Sequence, residues 1–274
     1  MHPSFTTKER NGVVYGVFPL FEQTGLVRHG FSTRIGGVSS GECATMNLSF
    51  SRKDEPGRVR ENYARLCAAL CVPPESLVVT RQVHGVWCHT ARASDAGRLV
   101  VREEPVETAD ALITNEPGLT LIKHFADCVP VYLLDPVGRA IGLVHAGWRG
   151  TAERIAAETI RIMEREYGTR PADLLAAIGP SIGPCCFEVG EDVAAVFDER
   201  FPGCVGRSPG RKPHVDLWQC NLRTLSDAGV LPGRIAAARR CTACEPELFY
   251  SHRRDRGRTG TMAAALALRP HAGD

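Results

Sequence analysis

The sequence predicts an α/β protein in which helices flank a mixed sheet. Apolar strand-like runs interleave with segments of helical period along the 274 residues. This interleaving lacks a regular βαβ rhythm, which disfavours a barrel or a Rossmann unit. No G-x-G-x-x-G follows a predicted strand and no P-loop occurs, so those nucleotide-binding fingerprints are missing from the sequence. We therefore expect one α/β domain over residues 1–274, long enough to bury a sizeable core.

Composition excludes several classes of protein. Lys and Arg total 33, Asp and Glu total 31, and the net charge is +2 without any charge block. This balance argues against nucleic acid or an anionic membrane as the main partner. No uncharged apolar run approaches the roughly 18 residues of a spanning helix. Residues 13–21 are apolar but lack a cleavage site, so we expect no signal peptide and a cytoplasmic location.

Three helices follow from spacing and end signals. The first carries apolar residues at helical spacing, namely Val59, Tyr63, Leu66 and Leu70, and ends before Pro73. The second is predicted over 151–167, with Thr151 as N-cap, Glu153 in the first turn and Gly168 as the stop. The third is predicted over 191–201.

Six apolar runs have the length and composition of strands. They are 77–80, 111–114, 119–122, 129–135, 140–146 and 175–178. The Gly- and Pro-rich segment 202–213 is predicted to be a mobile loop within the same domain.

The strands 129–135 and 140–146 predict a hairpin that carries chemistry. Pro136-Val137-Gly138 suits a type I turn with a following bulge, so paired residue numbers should sum to about 273 or 274. That register places Cys128 opposite His145 or Ala146, with Cβ atoms roughly 4.5–5.5 Å apart. At that distance the thiol and the imidazole can share a metal ion, or the imidazole can activate the thiol. A buried Cys and a hydrogen-bonded structural His is the alternative interpretation.

A third candidate ligand, His84, lies in Arg81-Gln82-Val83-His84-Gly85 after the strand 77–80. Two imidazoles, one thiolate and an open fourth position are the requirements of catalytic zinc, which lowers the pKa of its bound water to roughly 7. His145 also begins a glycine-rich turn, 145–150, at the start of a predicted helix whose free N–H groups favour an anion.

The sequence resembles the laccase-domain family, also named polyphenol oxidase or peptidoglycan editing factor, whose members include zinc-dependent purine nucleoside phosphorylases. The motifs that carry the resemblance are ordered along nearly the whole chain. They are FSTRIGGVS (31–39), MNLS (46–49), QVHG (82–85), ADA (109–111), ADCVP (126–130), HAGWRGT (145–151), GPSIGP (179–184), FEVG (187–190) and FYSHRRD (249–255).

The resemblance implies a four-layer α/β/β/α fold with mixed sheets, and His84, Cys128 and His145 as zinc ligands that also serve catalysis. It further implies phosphorolysis of adenosine, inosine and methylthioadenosine, and deamination of adenosine, with purine nucleosides and phosphate as partners. Two departures from the family pattern stand out. Ala126 replaces the usual Thr before Asp-Cys, and Thr261 replaces an Arg, for which nearby Arg258 is a candidate substitute.

Four residues within or beside these motifs are candidate substrate-binding groups. Arg34 and Arg149 can hold phosphate through charge-assisted hydrogen bonds. Asn47 and Gln82 complete the predicted set. A solvated surface arginine is the competing interpretation of Arg34.

Three other functions compete with the nucleoside enzyme. Cys128 with His145 as its base could form a cysteine hydrolase or amidase acting on peptidoglycan precursors. Copper-dependent phenol oxidation is disfavoured, because multicopper sites use His-x-His pairs and the sequence has none, although such a ligand set can take up copper in vitro. A zinc-stabilised binding protein without activity is the third.

The eleven cysteines, an odd number, do not predict a disulfide framework in a chain of this length. Cys241 and Cys244 have the spacing of half a zinc ribbon, but no second C-x-x-C exists. The sequence therefore favours a structural role for this pair, and a packing or loop role for Cys185 and Cys186.

Overall fold

Two six-stranded mixed sheets form the centre of the computed structural model, which describes residues 4–270. The strands of the first sheet run in the order β1 (Thr6–Arg10), β2 (Val13–Val17), β3 (Val27–Ser32), β14 (Met262–Leu268), β7 (Thr120–Phe125) and β4 (Leu77–Val79). Those of the second run β13 (Ile235–Ala237), β10 (Leu175–Ile178), β8 (Val129–Asp135), β9 (Ala140–Ala146), β6 (Ala111–Thr114) and β5 (Cys88–Thr90).

The helices and short 3-10 turns lie between these strands in the chain. The α-helices of the described residues are α1 (Pro19–Glu22), α2 (Pro56–Leu70), α3 (Trp148–Ala152), α4 (Ile155–Tyr167), α5 (Glu191–Arg200) and α6 (Leu217–Asp227). The 3-10 turns are Gly41–Cys43, Pro74–Ser76, Ala93–Asp95, Pro171–Asp173 and Pro232–Arg234. Within the described range, no helix combines the length and apolar character needed to cross a membrane.

The apolar side chains sort into layers that confirm the predicted α/β/β/α fold. A central cluster joins the facing sides of the two sheets, with Phe31 and Leu121 from the first and Tyr132 and Leu143 from the second. Helix α2 packs on the outer side of the first sheet, and α3 to α6 pack on the outer side of the second. Because successive strand residues point to opposite faces, each sheet contributes to two of these clusters.

The predicted hairpin exists, but its register differs from the prediction. Val129 pairs with Ala146 and Pro130 with His145, so paired numbers sum to 275 rather than 273 or 274. The reason is a four-residue loop that ends at Arg139 in the left-handed conformation, while Asp135 Oδ1 accepts hydrogen bonds at the start of the loop. Cys128 therefore lies just beyond the ladder, not opposite His145 or Ala146.

The predicted helix over 151–167 is two helices. The chain turns directly from β9 into α3, with Gly147 as N-cap, and breaks at Arg154, whose φ is 57°. Thr151 is not an N-cap: it is buried within α3, and its hydroxyl accepts a hydrogen bond from Asn221 Nδ2 at 3.1 Å. Gly168 ends α4 as predicted, in the left-handed conformation.

The segment 202–213 leads into a small hairpin. Strands β11 (Val205–Gly206) and β12 (His214–Val215) pair antiparallel there. The first strand of this hairpin lies within the predicted loop and the second directly follows it.

Candidate metal centre and substrate pocket

Three side chains from three parts of the chain converge where the ends of the two sheets meet. His84 follows β4 of the first sheet, Cys128 directly precedes β8 of the second, and His145 lies in β9. One ligand atom of each lies within 4.8 Å of the others. The imidazole rings of His84 and His145 meet edge to face, with centroids 5.0 Å apart. The structure therefore brings together the set that the sequence proposed as metal ligands.

Asp110, which the sequence analysis did not single out, organises two of these ligands. Its Oδ1 lies 2.9 Å from Nδ1 of His145. Its carboxylate also accepts hydrogen bonds from the backbone N–H groups of Val83, His84 and Gly85, at 2.9–3.2 Å. These bonds hold His84 at φ 61°, a left-handed conformation that costs energy for a residue with a side chain.

The charge state of Asp110 fixes the tautomer of His145. Burial opposes ionisation of the Asp110 carboxyl, but the hydrogen bonds from His145 and from the backbone of Gly85 and Val83 lower its pKa to about 2. An ionised carboxylate can only accept, so Nδ1 of His145 donates and Nε2 keeps its lone pair. This is the carboxylate–histidine arrangement that orients metal-ligating imidazoles in proteins.

Burial keeps the His145 imidazole and the Cys128 thiol neutral in the protein without metal. It lowers the pKa of His145 to about 4, against the opposing effect of Asp110. It also raises the pKa of the Cys128 thiol to about 12, an effect that the charges of Asp127 and Asp110 reinforce. A cation bound between these side chains would favour the thiolate, as metals do for coordinating thiols.

Gly147 fits closely against all three candidate ligands. A Cβ at this position would lie 3.0 Å from His84 Cδ2, 3.4 Å from Cys128 Sγ and 3.8 Å from His145 Cε1. A side chain here would press on the ligand set. The glycine that follows β9 therefore lets backbone form one wall of the site.

Asp127, the residue before Cys128, is held by three segments. Its φ is 93°, outside the usual range for a non-glycine residue. Its Oδ1 accepts a hydrogen bond from the Thr242 hydroxyl at 2.6 Å, its Oδ2 accepts one from the Arg253 N–H at 2.7 Å, and its backbone oxygen accepts from Ile182. The surrounding chain thus compensates the strained conformation that aims Cys128 at the two imidazoles.

The three candidate ligands lie on the wall of a pocket of about 810 Å³. Its charged lining consists of Arg52, Arg81 and Arg253 against one carboxylate, Asp127, which is already hydrogen-bonded. Its apolar lining residues are Phe50, Val79, Leu99, Val106, Ile182 and Phe187. The volume lies within the range of small-molecule sites, and the excess of guanidinium groups favours an anionic ligand.

The structure does not bring Arg34 into the pocket lining. Its Nε and Nη2 donate to the carbonyl of Ala44 and its Nη1 to that of Pro246, and its guanidinium lies 4.9 Å from the ring centroid of Tyr250. Arg149 is exposed, stacks on Trp148 at 4.3 Å and is likewise not a lining residue. Neither side chain faces the ligand set in this structure, because backbone carbonyls hold the first and an aromatic ring the second.

The two predicted amide residues are engaged in structural hydrogen bonds. Asn47 is fully buried: its Oδ1 accepts from the N–H groups of Ser49 and Thr261, and its Nδ2 donates to Asp54. Gln82 does line the pocket, but its amide pairs with the backbone of His124 at 2.7 and 2.9 Å. Asn47 thus supports two residues of the pocket lining, Ser49 and Thr261, through these hydrogen bonds.

A family model described as "Multi-copper polyphenol oxidoreductase laccase" matches residues 28–269. The chain belongs to this laccase-domain family. The purine nucleoside phosphorylase YlmD of Geobacillus stearothermophilus is 39% identical over 246 residues, which cover 88% of this chain and 89% of that protein. The purine nucleoside phosphorylase YfiH of Escherichia coli is 34% identical over 240 residues, covering 86% and 92%.

Solved structures of the family share the fold. The crystal structure of YlmD from Geobacillus stearothermophilus superposes with a TM-score of 0.91 and 35% identity, covering 98% of this chain and all of that one. The crystal structure of a Bacillus licheniformis protein described as hypothetical protein YfiH gives a TM-score of 0.89 and 32% identity, covering 96% and 99%.

Thr261 departs from the family pattern, and an arginine from another segment contacts it. Arg258, the candidate substitute, is exposed, pairs with Glu42 and is not a lining residue. Arg52 instead donates from Nε to the Thr261 hydroxyl at 2.9 Å, and both residues line the pocket. Arg52 therefore supplies a guanidinium beside the position where the family commonly has one.

Two buried charged residues near the site escaped the sequence analysis. Asp110 directly precedes the buried strand β6, and Lys123 lies inside β7, where its ammonium donates to the Thr80 hydroxyl and to the carbonyl of Ala109. Burial lowers the pKa of Lys123 to about 7, against the opposing charge of Asp110. For Lys123 a single charge within an apolar run was the available signal, because such charges are rarely buried without a partner.

Proposed function

We propose that this protein is a zinc-dependent purine nucleoside phosphorylase. The relatives named purine nucleoside phosphorylase support the reaction. The observation that carries the proposal is the pocket itself, in which a two-imidazole, one-thiol ligand set shares a cavity with three arginines and an apolar wall. That combination offers one surface for a metal, one for phosphate and one for a nucleobase.

The ligand set fits zinc in number, chemistry and support. His84, Cys128 and His145 supply the nitrogen and sulfur donors that zinc prefers, and three protein ligands leave the fourth position that catalytic sites keep open. Asp110 holds one imidazole in the ligating tautomer, and Gly147 leaves room beside the three side chains. When bound, the ion would supply Lewis-acid polarisation.

The arginines are the proposed phosphate-binding groups. Arg52 is fixed by Thr261 through its Nε, and Arg253 is fixed by its backbone N–H to Asp127 and by its Nη1 to the Glu188 carbonyl at 2.7 Å. Such tethers restrict the guanidinium groups before the anion arrives, which reduces the entropy lost on binding. Fixed guanidinium groups are well suited to oriented phosphate recognition.

In phosphorolysis a phosphate oxygen attacks C1′ of the ribose while the bond to the purine nitrogen breaks and the base leaves with the electron pair. The arginines would orient the attacking oxygen and screen the negative charges that meet in the pocket. Phe50 and Phe187 are the candidate surfaces for the flat purine, since both are aromatic lining residues. We further propose adenosine, inosine and methylthioadenosine as substrates and deamination of adenosine as a second reaction.

The test measures base release from each nucleoside with and without phosphate. Appearance of ribose 1-phosphate or its 5-methylthio analogue, in equal amount to free base and only with phosphate, supports the proposal. Removal of metal with a chelator should abolish turnover, and zinc should restore it. Equal base release without phosphate, or full activity after chelation, would contradict the proposal.

One observation also favours a cysteine hydrolase. Asp110, His145 and Cys128 follow one another in space as the acid, base and nucleophile of a catalytic triad do. In that reaction the Cys128 thiolate would attack an amide carbonyl, the amine would leave with a proton from His145, and water would then hydrolyse the resulting thioester. Chelation would spare or raise such an activity, so the same chelator experiment separates the two functions.

A further inference from the structure

A second group of sulfur atoms lies outside the set of proposed ligands described above. Cys185, Cys186, Cys241 and Cys244 place one Sγ each within 4.8 Å of all the others. Cys244 Sγ lies 3.6 Å from that of Cys185 and 3.4 Å from that of Cys186. We call these four residues the tetracysteine cluster.

The fold builds this cluster from two distant segments. The chain that follows β10 runs parallel to the chain that follows β13, where Ser181 bridges to Cys241 and exchanges backbone hydrogen bonds with Arg240 and Thr242. This alignment brings Cys185-Cys186 against the Cys241–Cys244 turn. The second cysteine pair, Cys185 and Cys186, is adjacent in the sequence. A search for a second C-x-x-C motif therefore does not find it.

We propose that the tetracysteine cluster is a structural zinc site, separate from His84, Cys128 and His145. Zinc–sulfur bonds of about 2.3 Å place the corners of a tetrahedron about 3.8 Å apart. Two of the Sγ–Sγ distances, 3.4 and 3.6 Å, lie close to that value and the others are below 4.8 Å, so small side-chain rotations suffice to close the site. Four sulfurs and no remaining position are the composition of a closed structural zinc site.

Hydrogen-bond donors and two guanidinium groups surround the cluster. The backbone N–H of Gly183 points at Cys241 Sγ, with nitrogen and sulfur 3.3 Å apart. Arg253 donates from Nη1 to the Cys186 carbonyl at 3.3 Å, and Arg254 donates from Nη1 to the Thr242 carbonyl at 2.9 Å. Two guanidinium groups thus touch the two cysteine segments, which would offset the net charge of −2 on zinc with four thiolates.

A pair of disulfides accounts for the arrangement less well. A disulfide needs two sulfurs about 2.0 Å apart, whereas Cys244 lies at similar distances from both Cys185 and Cys186. The convergence of all four sulfurs on one point is the geometry of a shared ion. Cys185 and Cys244 are exposed, so an ion can reach the cluster from solvent.

A metal bound by the tetracysteine cluster would stabilise one wall of the pocket. It would tie the segment that carries Phe187 to the turn that carries Thr242, whose hydroxyl holds Asp127 next to Cys128. The site would therefore support the strained residue before Cys128 without touching substrate. This inference concerns metal content and stability, and it stands whether or not the protein cleaves nucleosides.

The experiment measures zinc per chain in protein purified under reducing conditions without chelators. The Cys185→Ser/Cys244→Ser variant should lose about one equivalent relative to wild type, and Cys128→Ala should lose a different one. Cys71→Ser, at a half-buried thiol outside both groups, is the matched control and should lose none. Cobalt substitution adds a second readout, because thiolate-to-cobalt charge-transfer absorption of the four-sulfur site should vanish in the double variant and persist in Cys128→Ala.

Two results would overturn the inference. The first is equal zinc content in wild type and a folded double serine variant, as judged by circular dichroism. The second is a thiol count under the same reducing conditions that shows all four cysteines in disulfides. If the double variant does not fold, titration of accessible thiols in folded Cys128→Ala protein decides, because zinc at the cluster requires a chelator to raise the count of reactive thiols by about four.

Discussion

The Asp110 carboxylate binds Nδ1 of His145 at 2.9 Å while it accepts three consecutive backbone N–H groups around His84. One buried acid therefore positions two of the three proposed metal ligands, one through its ring and the other through its backbone. It directly precedes β6, a strand that contains neither of these ligands.

Replacing Asp110 with Asn should weaken metal binding about 10–100-fold, as for other partners of ligating histidines. The amide cannot accept from His145 and all three N–H groups as a carboxylate does. Competition with a chromophoric chelator measures the affinity. Asp135→Asn is the matched control, because Asp135 is also buried and accepts two backbone N–H groups, but in the β8–β9 loop. Equal affinities for Asp110→Asn and wild type would show that the carboxylate does not support the site.

Cys128→Ala should remove the metal bound with His84 and His145 while the protein stays folded. The substitution deletes one of three ligands, whereas the two sheets keep their packed core. Metal analysis and a thermal melt check both parts of the expectation. Cys220 is a fully buried thiol outside the tetracysteine cluster and outside the His84, Cys128 and His145 set. Cys220→Ala should therefore leave metal content unchanged. Full metal content and activity in Cys128→Ala would refute the ligand assignment.

Arg52→Ala should raise the KM for phosphate about tenfold to a hundredfold, the cost of a charge-assisted hydrogen bond. The KM for the nucleoside should change much less. Arg34→Ala offers the contrast, because Arg34 bonds two backbone carbonyls away from the pocket lining. It should lower the melting temperature and leave the KM for phosphate nearly unchanged. The opposite pattern in steady-state kinetics would return the phosphate role to Arg34.

His29 should make the protein less stable as the pH falls. Burial, with the charge of Lys8, lowers the pKa of His29 from 6.5 to about 3, and its Nε2 accepts a hydrogen bond from the Phe18 N–H at 2.8 Å. Between these two pKa values the unfolded chain therefore binds a proton at His29 that the folded protein does not bind. The free energy of unfolding should fall by about 2 kcal/mol between about pH 7.5 and pH 5 from this group.

Urea unfolding at both pH values measures the effect. His29→Gln retains an acceptor for Phe18 and does not titrate, so its stability should depend less on pH over this range. An unchanged slope in His29→Gln would show that another group carries the effect.

Local patterns were sufficient for the strands near the site. The bounds predicted for 111–114, 129–135, 140–146 and 175–178 agree with the structure, because continuous apolar runs mark strands buried on both faces. The hairpin register was wrong by one or two positions, because turn residues alone did not show that Arg139 extends the loop. The break of the predicted second helix at Arg154 likewise has no local signal of Gly or Pro.

The sequence, through its apolar patterns and its resemblance to a known family, determined the layered α/β fold, the limits of four strands near the site and the three residues proposed as metal ligands. Tertiary structure alone decided what each polar group near them does: Asp110 supports the ligands, Arg52 faces the pocket, and Arg34 and Asn47 are held in the framework. Apolar periodicity is a property of neighbouring residues and can be seen in one segment. A side chain's hydrogen-bond partners come from segments far away in the chain, and only folding brings them within 3 Å.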